Sequence, residues 1–179
     1  MRPRLHARLD SRDWITLAPP DDLAPRAWLL GVVALQISVE NDRVVARARA
    51  HVTGAEAPRV EALDATASLH VTLLDETSGA PPPPALTTLA PSSADARLEL
   101  FLDGVLIDCA ELSESARRAS PPARGFGHVF CRWLRSGEFE PGFDLTDLVS
   151  LPPGRMFERR VNRPLAVGQT VSYRFARAG

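Results

Sequence analysis

Residues 96–112 read ARLELFLDGVLIDCAEL and contain the strongest local structural signal in the chain. The dipeptide Asp103-Gly104 divides this stretch into two runs with a period of two. The alternating apolar residues are Leu98, Leu100, Leu102, Val105, Ile107 and Cys109. An Asp-Gly pair suits a type I′ turn, whose twist matches that of two flanking antiparallel strands. The stretch therefore predicts a β-hairpin with a two-residue turn.

Similar strand signals lie on both sides of this hairpin. They occur at residues 27–39, 44–53, 66–79, 125–133 and 171–176. In 44–53, small apolar residues alternate with Arg47, Arg49 and His51, which is typical of a half-buried antiparallel strand. In 66–79, Leu69, Val71 and Leu73 form the predicted inward set, and His70 and Thr72 face the other way. We count six to eight strands.

The remaining segments are rich in turn and loop residues. Four consecutive prolines in 80–96 predict an exposed loop with polyproline II character. Residues 138–154 also predict a loop, with a short helix at 145–149 that Asp144 caps. Residues 113–120 are the second candidate for a short helix.

Many short strands separated by Pro and Gly turns indicate an all-β fold. We predict an antiparallel β-sandwich, immunoglobulin-like in architecture only, with long Pro-rich loops and at most one or two short helices. Residues 28–179 form this single domain, and residues 1–27 form an N-terminal extended segment or an edge strand. The chain of 179 residues suits one domain of this kind.

All 21 basic side chains other than histidine are arginines, since the chain has no lysine. This excludes enzymes that use a Schiff-base lysine or a P-loop lysine. Residues 1–116 contain 10 Arg and 17 acidic residues, a net charge of −7, and residues 117–179 contain 11 Arg and 5 acidic residues, a net charge of +6. This asymmetry favours attraction within the fold, head-to-tail association of copies, or an anionic partner at the C-terminal part.

An arginine-rich segment, GRMFERRVNR at 154–163, is the candidate binding surface. Its arginines recur at near-helical spacing and can grip carboxylates or phosphates. The alternative is a solvated basic loop that pairs with the acidic part of the same chain. The candidate binding residues are Arg155, Arg159, Arg160 and Arg163, with Trp133, Phe139 and Phe143 as the aromatic anchors.

His128 and Cys131, within GFGHVFCRW at 125–133, are the alternative site, as a thiol or metal centre with a distant histidine. In a strand, their offset of three places them on opposite faces of the sheet, which argues against direct pairing. A disulfide between Cys109 and Cys131 is a further alternative, which the sequence leaves open.

We therefore expect a non-enzymatic binding or assembly module that recognises a protein or an anionic partner, or associates with itself. No catalytic motif occurs, so we expect no enzyme activity and no cofactor. Nucleic acid and membrane are not expected partners. The basic N-terminus lacks a following apolar run, which predicts a soluble, cytoplasmic protein.

Overall fold

The computed structural model describes residues 3–18, 31–40, 43–52, 59–63, 67–86, 96–111, 124–133, 139–150 and 156–177. These residues form twelve β-strands and contain no helix. The all-β prediction is confirmed, and the strands outnumber the six to eight expected. Within the described residues, no helix is long and apolar enough to cross a membrane.

The strands form two antiparallel sheets of six strands each. In chain order they are β1 (Arg4–Leu9), β2 (Arg12–Leu17), β3 (Gly31–Glu40), β4 (Arg43–Val52), β5 (Arg59–Leu63), β6 (Leu69–Leu74), β7 (Ala96–Leu102), β8 (Val105–Glu111), β9 (Arg124–Trp133), β10 (Phe139–Ser150), β11 (Met156–Pro164) and β12 (Thr170–Arg177). The first sheet has the order β2-β1-β6-β12-β7-β8, and the second has the order β11-β10-β9-β3-β4-β5.

The predicted hairpin is present as β7 and β8. Asp103 and Gly104 have φ angles of 48° and 81°, as a type I′ turn requires. Asp103 also connects the hairpin to β12: its backbone N–H donates to the Thr170 carbonyl at 2.9 Å, and its Oδ1 accepts from the Thr170 N–H at 2.8 Å. Asp103 therefore stabilises both the turn of the hairpin and the position of β12 beside it.

One hydrophobic cluster contains residues from both sheets. The first sheet contributes Leu5, Ala7, Leu9, Trp14, Leu17, Leu69, Val71, Leu73, Leu98, Leu100, Val171 and Tyr173, and the second contributes Val33, Ala48, Ala50, Val129 and Phe143. In β4, Ala48 and Ala50 are buried and Arg49 is exposed, as the alternation predicts. Small side chains at these positions allow the core to be filled by larger residues from the first sheet.

The N-terminal segment contributes an internal strand to this core. β1 lies between β2 and β6, and its residues Leu5 and Ala7 are fully buried. β2 is the edge strand of the first sheet. The core therefore extends across the boundary at residues 27 and 28, because the hairpin of β1 and β2 pairs with β6.

Residues 165–169 connect the two sheets at one corner. The Leu165 side chain is buried in the core, and its backbone N–H donates to the Pro141 carbonyl at 2.9 Å. Gly168 has a φ of 87°, and its N–H donates to the Leu73 carbonyl at 2.8 Å. The corner is therefore tied to β10 in one sheet and to β6 in the other.

The expected loop at 138–154 with its short helix was wrong for residues 139–150, which form β10. This strand pairs with β9 along Phe139–Leu148 and with β11 along Gly142–Ser150. Asp144 therefore lies inside a strand rather than at a helix cap. Two continuous ladders of cross-strand hydrogen bonds outweigh the local helix and turn signals of this segment.

Substituting the turn glycine provides a test of the hairpin. We expect Gly104→Ala to lower the free energy of unfolding by about 1 kcal/mol, because a residue with a Cβ disfavours a positive φ. Urea denaturation measures the change. Gly79 is the matched control, since it has no positive φ and an added Cβ there meets no atom within 4 Å. Equal losses in the two variants would contradict the role of the turn.

Candidate functional site

Three of the four candidate arginines lie on β11, the terminal strand of the second sheet. We call β11 with Arg159, Arg160 and Arg163 the arginine strand. Arg155 lies outside the described residues. The expected near-helical spacing does not apply, because alternate positions in a strand fall on opposite faces of the sheet. Positions 159 and 163 therefore share one face, and position 160 lies on the other.

The arginine strand has a surplus of positive charge in its register with β10. Arg159 lies opposite Asp147, whereas Arg160 lies opposite Thr146 and Arg163 lies opposite Phe143. The Arg163 side chain is exposed. In the described part of the chain, β11 pairs with β10 alone, so its outer edge carries backbone groups without a strand partner.

The three candidate aromatics lie in two different environments. Trp133 and Phe139 are register partners at the end of β9 and the start of β10. Phe139 precedes Phe143, the register partner of Arg163, by four residues on β10, which is about 13 Å along a strand. Phe143 is fully buried in the hydrophobic core. We therefore exclude Phe143 from the binding surface.

His128 and Cys131 lie on β9, an internal strand between β10 and β3. The strand prediction for this segment is confirmed, and the odd offset assigns the two positions to opposite faces of the sheet. Cys109 lies on β8 and forms no disulfide. Among the described residues, no group of three or more His, Cys, Asp or Glu side chains is arranged to hold a metal ion.

A second group of polar residues was not identified from the sequence. It lies on the face of the first sheet opposite the core, and we call it the polar face. Its most buried members, each at most 5% exposed, are Ser68, His70, Thr72, Glu99, Thr170 and Ser172. The strand register places Thr72 opposite Thr170, His70 opposite Ser172 and Glu99 opposite Arg174. His70 and Thr72 do face away from the core, as predicted, but both are covered.

A chain of hydrogen bonds begins at Ser172 in the centre of the polar face. Its Oγ lies 2.8 Å from His70 Nδ1, and His70 Nε2 lies 3.2 Å from Ser68 Oγ. The Ser68 hydroxyl donates to Asp10 Oδ1 at 3.0 Å. Because the Ser68 proton is used there, Nε2 of His70 donates to Ser68, and Nδ1 accepts from Ser172.

The pKa of His70 is lowered to about 4, chiefly by burial. The negative charge of Asp10 opposes this shift, and the positive charge of Arg8 contributes to it. Removal of the ring from water penalises the charged imidazolium, so His70 is neutral at physiological pH. This agrees with the hydrogen-bond assignment, in which Nδ1 carries no proton.

The Ser172 and His70 pair has the composition of a nucleophile and its general base. Ser172 is fully buried, however, so no substrate reaches its hydroxyl in this structure. A base with a pKa near 4 is also poorly matched to proton abstraction near neutral pH. We conclude that the pair is part of a structural hydrogen-bond network.

Glu99 organises the neighbouring part of the polar face. Its carboxylate, only 1% exposed, accepts from Arg97 Nε at 2.8 Å and from Arg174 Nε at 2.6 Å. The Arg174 guanidinium lies over the Phe101 ring, 4.8 Å from its centroid. The two arginines thus share one carboxylate, and the Phe101 ring adds a cation–π contact to Arg174.

Residues 75–86, which we call the proline segment, cross the polar face. Arg4 Nη2 donates to the Ser78 carbonyl at 2.9 Å, and Arg8 Nη1 donates to the Pro81 carbonyl at 2.6 Å. At the other end, a Cβ placed on Gly104 would lie 3.4 Å from Pro84 Cβ. For residues 80–86 the expectation of an exposed loop holds only in part, since Pro83, Pro84 and Leu86 are half-buried, and residues 87–95 lie outside the described residues.

Charged groups hold the proline segment and the first hairpin in place. Hydrogen bonds from Ser78 and Thr77 lower the pKa of Asp75 to about 2, at the start of the segment. Hydrogen bonds from Arg8 and then His6 hold the pKa of Asp13 below its ordinary value. Arg8 therefore links β2 to the proline segment through one side chain.

The sequence contains one signal of the polar face, which is easily misread. Polar residues alternate with apolar ones in β6 and β12, and such alternation normally indicates a solvated face. This face is buried in the folded chain, and its residues pair with others about 100 positions away, as in His70 and Ser172. Neither is visible in a local pattern.

Comparison of the chain with protein families, with curated proteins and with solved structures finds no match.

The pKa of His70 predicts a pH dependence of stability. The unfolded chain takes up a proton near pH 6.5 and the folded chain only near pH 4, so the free energy of unfolding falls as the pH decreases across this window. We expect a loss on the order of 2 to 3 kcal/mol from His70 alone. Urea denaturation between these pH values measures it.

The variant His70→Gln should have a flatter pH profile in this window, because the side chain no longer titrates. Thr72→Val is the matched control, because it removes a buried hydroxyl from the same strand. It should lower the free energy of unfolding by an amount that does not change with pH. An identical slope in wild type and His70→Gln would show that other groups supply the pH dependence.

Removal of the Glu99 carboxylate should leave two arginines without their shared partner. We expect Glu99→Ala to lower the free energy of unfolding by about 2 to 3 kcal/mol, less than for a fully buried pair because Arg97 and Arg174 are partly exposed. Thermal and urea denaturation measure the loss. Glu76→Ala removes an exposed carboxylate instead and should lower the free energy of unfolding by less than about 1 kcal/mol, the usual range of surface interactions.

Proposed function

We propose that this chain is a non-enzymatic binding module built on a β-sandwich, which recognises an acidic protein surface through the arginine strand. The sandwich architecture is supported by the hydrophobic cluster that contains residues of both sheets. We propose only that the two sheets stack, without the strand connectivity of an immunoglobulin domain.

The observation that carries the proposal is the position of three arginines on a terminal strand. Arg159, Arg160 and Arg163 lie on β11, whose outer edge has no strand partner among the described residues. An open edge presents backbone N–H and C=O groups that an extended segment can pair with. Arginine adds planar, bidentate hydrogen bonds to carboxylates.

The aromatic positions extend this surface at one end. Trp133 and Phe139 lie beyond the Arg163 end of the arginine strand. Tryptophan and phenylalanine next to arginines are typical anchors of protein interfaces. A partner with a short acidic segment and an adjacent apolar side chain would match this arrangement.

A non-enzymatic role is supported by the state of the polar face. Its Ser172 and His70 pair is the arrangement in the described residues that most resembles catalytic machinery, yet Ser172 is fully buried. The groups of the polar face are engaged with each other and with the proline segment. They therefore serve the fold, whereas the arginine strand presents its edge to a partner.

Binding to a poly-glutamate peptide tests the proposal. We expect wild type to bind the peptide, with affinity that falls as salt increases, and the double variant Arg159→Glu/Arg160→Glu to bind at least about tenfold more weakly. Fluorescence anisotropy of a labelled peptide measures both. Poly-glutamine of the same length is the uncharged comparison.

A matched control separates the arginine strand from overall charge. Arg12→Glu/Arg49→Glu changes the net charge by the same amount at two exposed arginines of other strands, with the loss of the Arg12–Glu61 ion pair between β2 and β5. This variant should keep most of the affinity. Equal losses in the two double variants would refute the proposed recognition surface, and no binding by wild type at low salt would refute its recognition of acidic peptides.

A further inference from the structure

We infer that the partner of the arginine strand is a second copy of this chain, which docks its β8 edge against β11. The inference rests on the proposed function, because it names the partner of the same strand. It comes from a second open edge in the described structure, at the opposite end of the strand order of the first sheet.

The β8 edge exposes apolar side chains that an isolated protein would keep covered. Val105 is 65% exposed and Leu106 is 49% exposed, and both lie at the start of this terminal strand. Edge strands of soluble monomers are usually protected by prolines, inward charges or covering segments. Residues 105–108 contain no proline, and the side chains of Val105 and Leu106 face solvent.

The charges of the two edges are complementary. Residues 103–111 contain Asp103, Asp108 and Glu111 and no basic residue, although the Asp103 carboxylate accepts from Thr170 and Arg97 of β7 lies opposite Glu111 in the register. Residues 156–164 of β11 contain three arginines and a single acidic residue, Glu158. The β8 edge is therefore acidic and apolar, and the β11 edge is basic. Edge pairing between copies would bring opposite charges together, whereas β8 against β8 would not.

The two edges lie on the same side of the molecule. β8 lies next to β10 across the two sheets, and β11 is the neighbour of β10. A two-fold axis parallel to the strands therefore places β8 of each copy against β11 of the other. This arrangement gives two equivalent contacts and closes at a dimer. Each contact buries Val105 and Leu106 beside the arginine strand of the other copy.

Sedimentation velocity of the full chain tests the inference. We expect the mass to rise from one chain to two as concentration increases from about 1 µM to 100 µM, and the dimer to dissociate in high salt. A sample that stays monomeric across this range at low salt would overturn the inference.

Reversing the charges on each edge separately provides the sharper experiment. Arg159→Glu/Arg160→Glu and Asp108→Arg/Glu111→Arg should each weaken the dimer at least about tenfold, because like charges then face each other at both contacts. An equal mixture of the two variants should dimerise again. In the mixed dimer, one contact has the wild-type charges and the other has both charges exchanged. A mixture that stays monomeric would overturn the pairing.

A single substitution covers the case in which a charge-reversed variant does not fold. Leu106→Lys changes an exposed side chain and should also weaken the dimer at least about tenfold, with an unchanged circular dichroism spectrum. Val167→Lys is the matched control, because Val167 is exposed in the corner between β11 and β12. Equal effects of the two lysines would overturn the assignment of the interface to β8.

The outcomes distinguish this inference from the proposed function. A monomer that binds poly-glutamate through the arginine strand overturns the inference and keeps the proposed function. A dimer that shows charge exchange but does not bind poly-glutamate keeps the inference and limits recognition to the second copy. A monomer that does not bind poly-glutamate overturns both.

Discussion

The pairing of β12 with β6 and β7 is the constraint on which the first sheet depends. Without β12, the described pairings would leave β2-β1-β6 and β7-β8 as separate units. Units of two or three strands have little independent stability in water. Thr72 and Thr170, which join β6 to β12 by a hydrogen bond of 2.8 Å, are 98 residues apart. The first sheet is therefore completed only by the last strand of the chain.

The polar face makes this pairing specific. Each buried polar group of β6 or β7 faces a partner on β12: Thr72 faces Thr170, His70 faces Ser172, and Glu99 faces Arg174. A slip of the register by one residue would turn these groups into the hydrophobic core without partners. Buried hydrogen bonds thus select one register, and the Ser172 and His70 pair belongs to this set of bonds.

The edge strands β8 and β11 differ from the central strands in how their polar groups are paired. The central strands bury polar groups that are paired within the chain, whereas β8 and β11 present unpaired edges with contrasting charge. β8 belongs to the acidic N-terminal part of the chain, and β11 belongs to the basic C-terminal part. The edges of these two strands lie on the same side of the molecule because β8 lies next to β10. The self-association that we propose would depend on this contrast.

The sequence alone determined the all-β class, the turn at Asp103-Gly104, the strand at 125–133 and the arginine cluster, because each is a local pattern of residue type and spacing. It did not reveal β10, the internal position of β1 or the burial of Phe143, since these depend on which strands become neighbours. The arginines were found, but their position on a terminal strand was not. The polar face was decided by tertiary structure: its residues look solvated in sequence, but they are buried, and those of β6 pair with residues of β12 that are about 100 positions away.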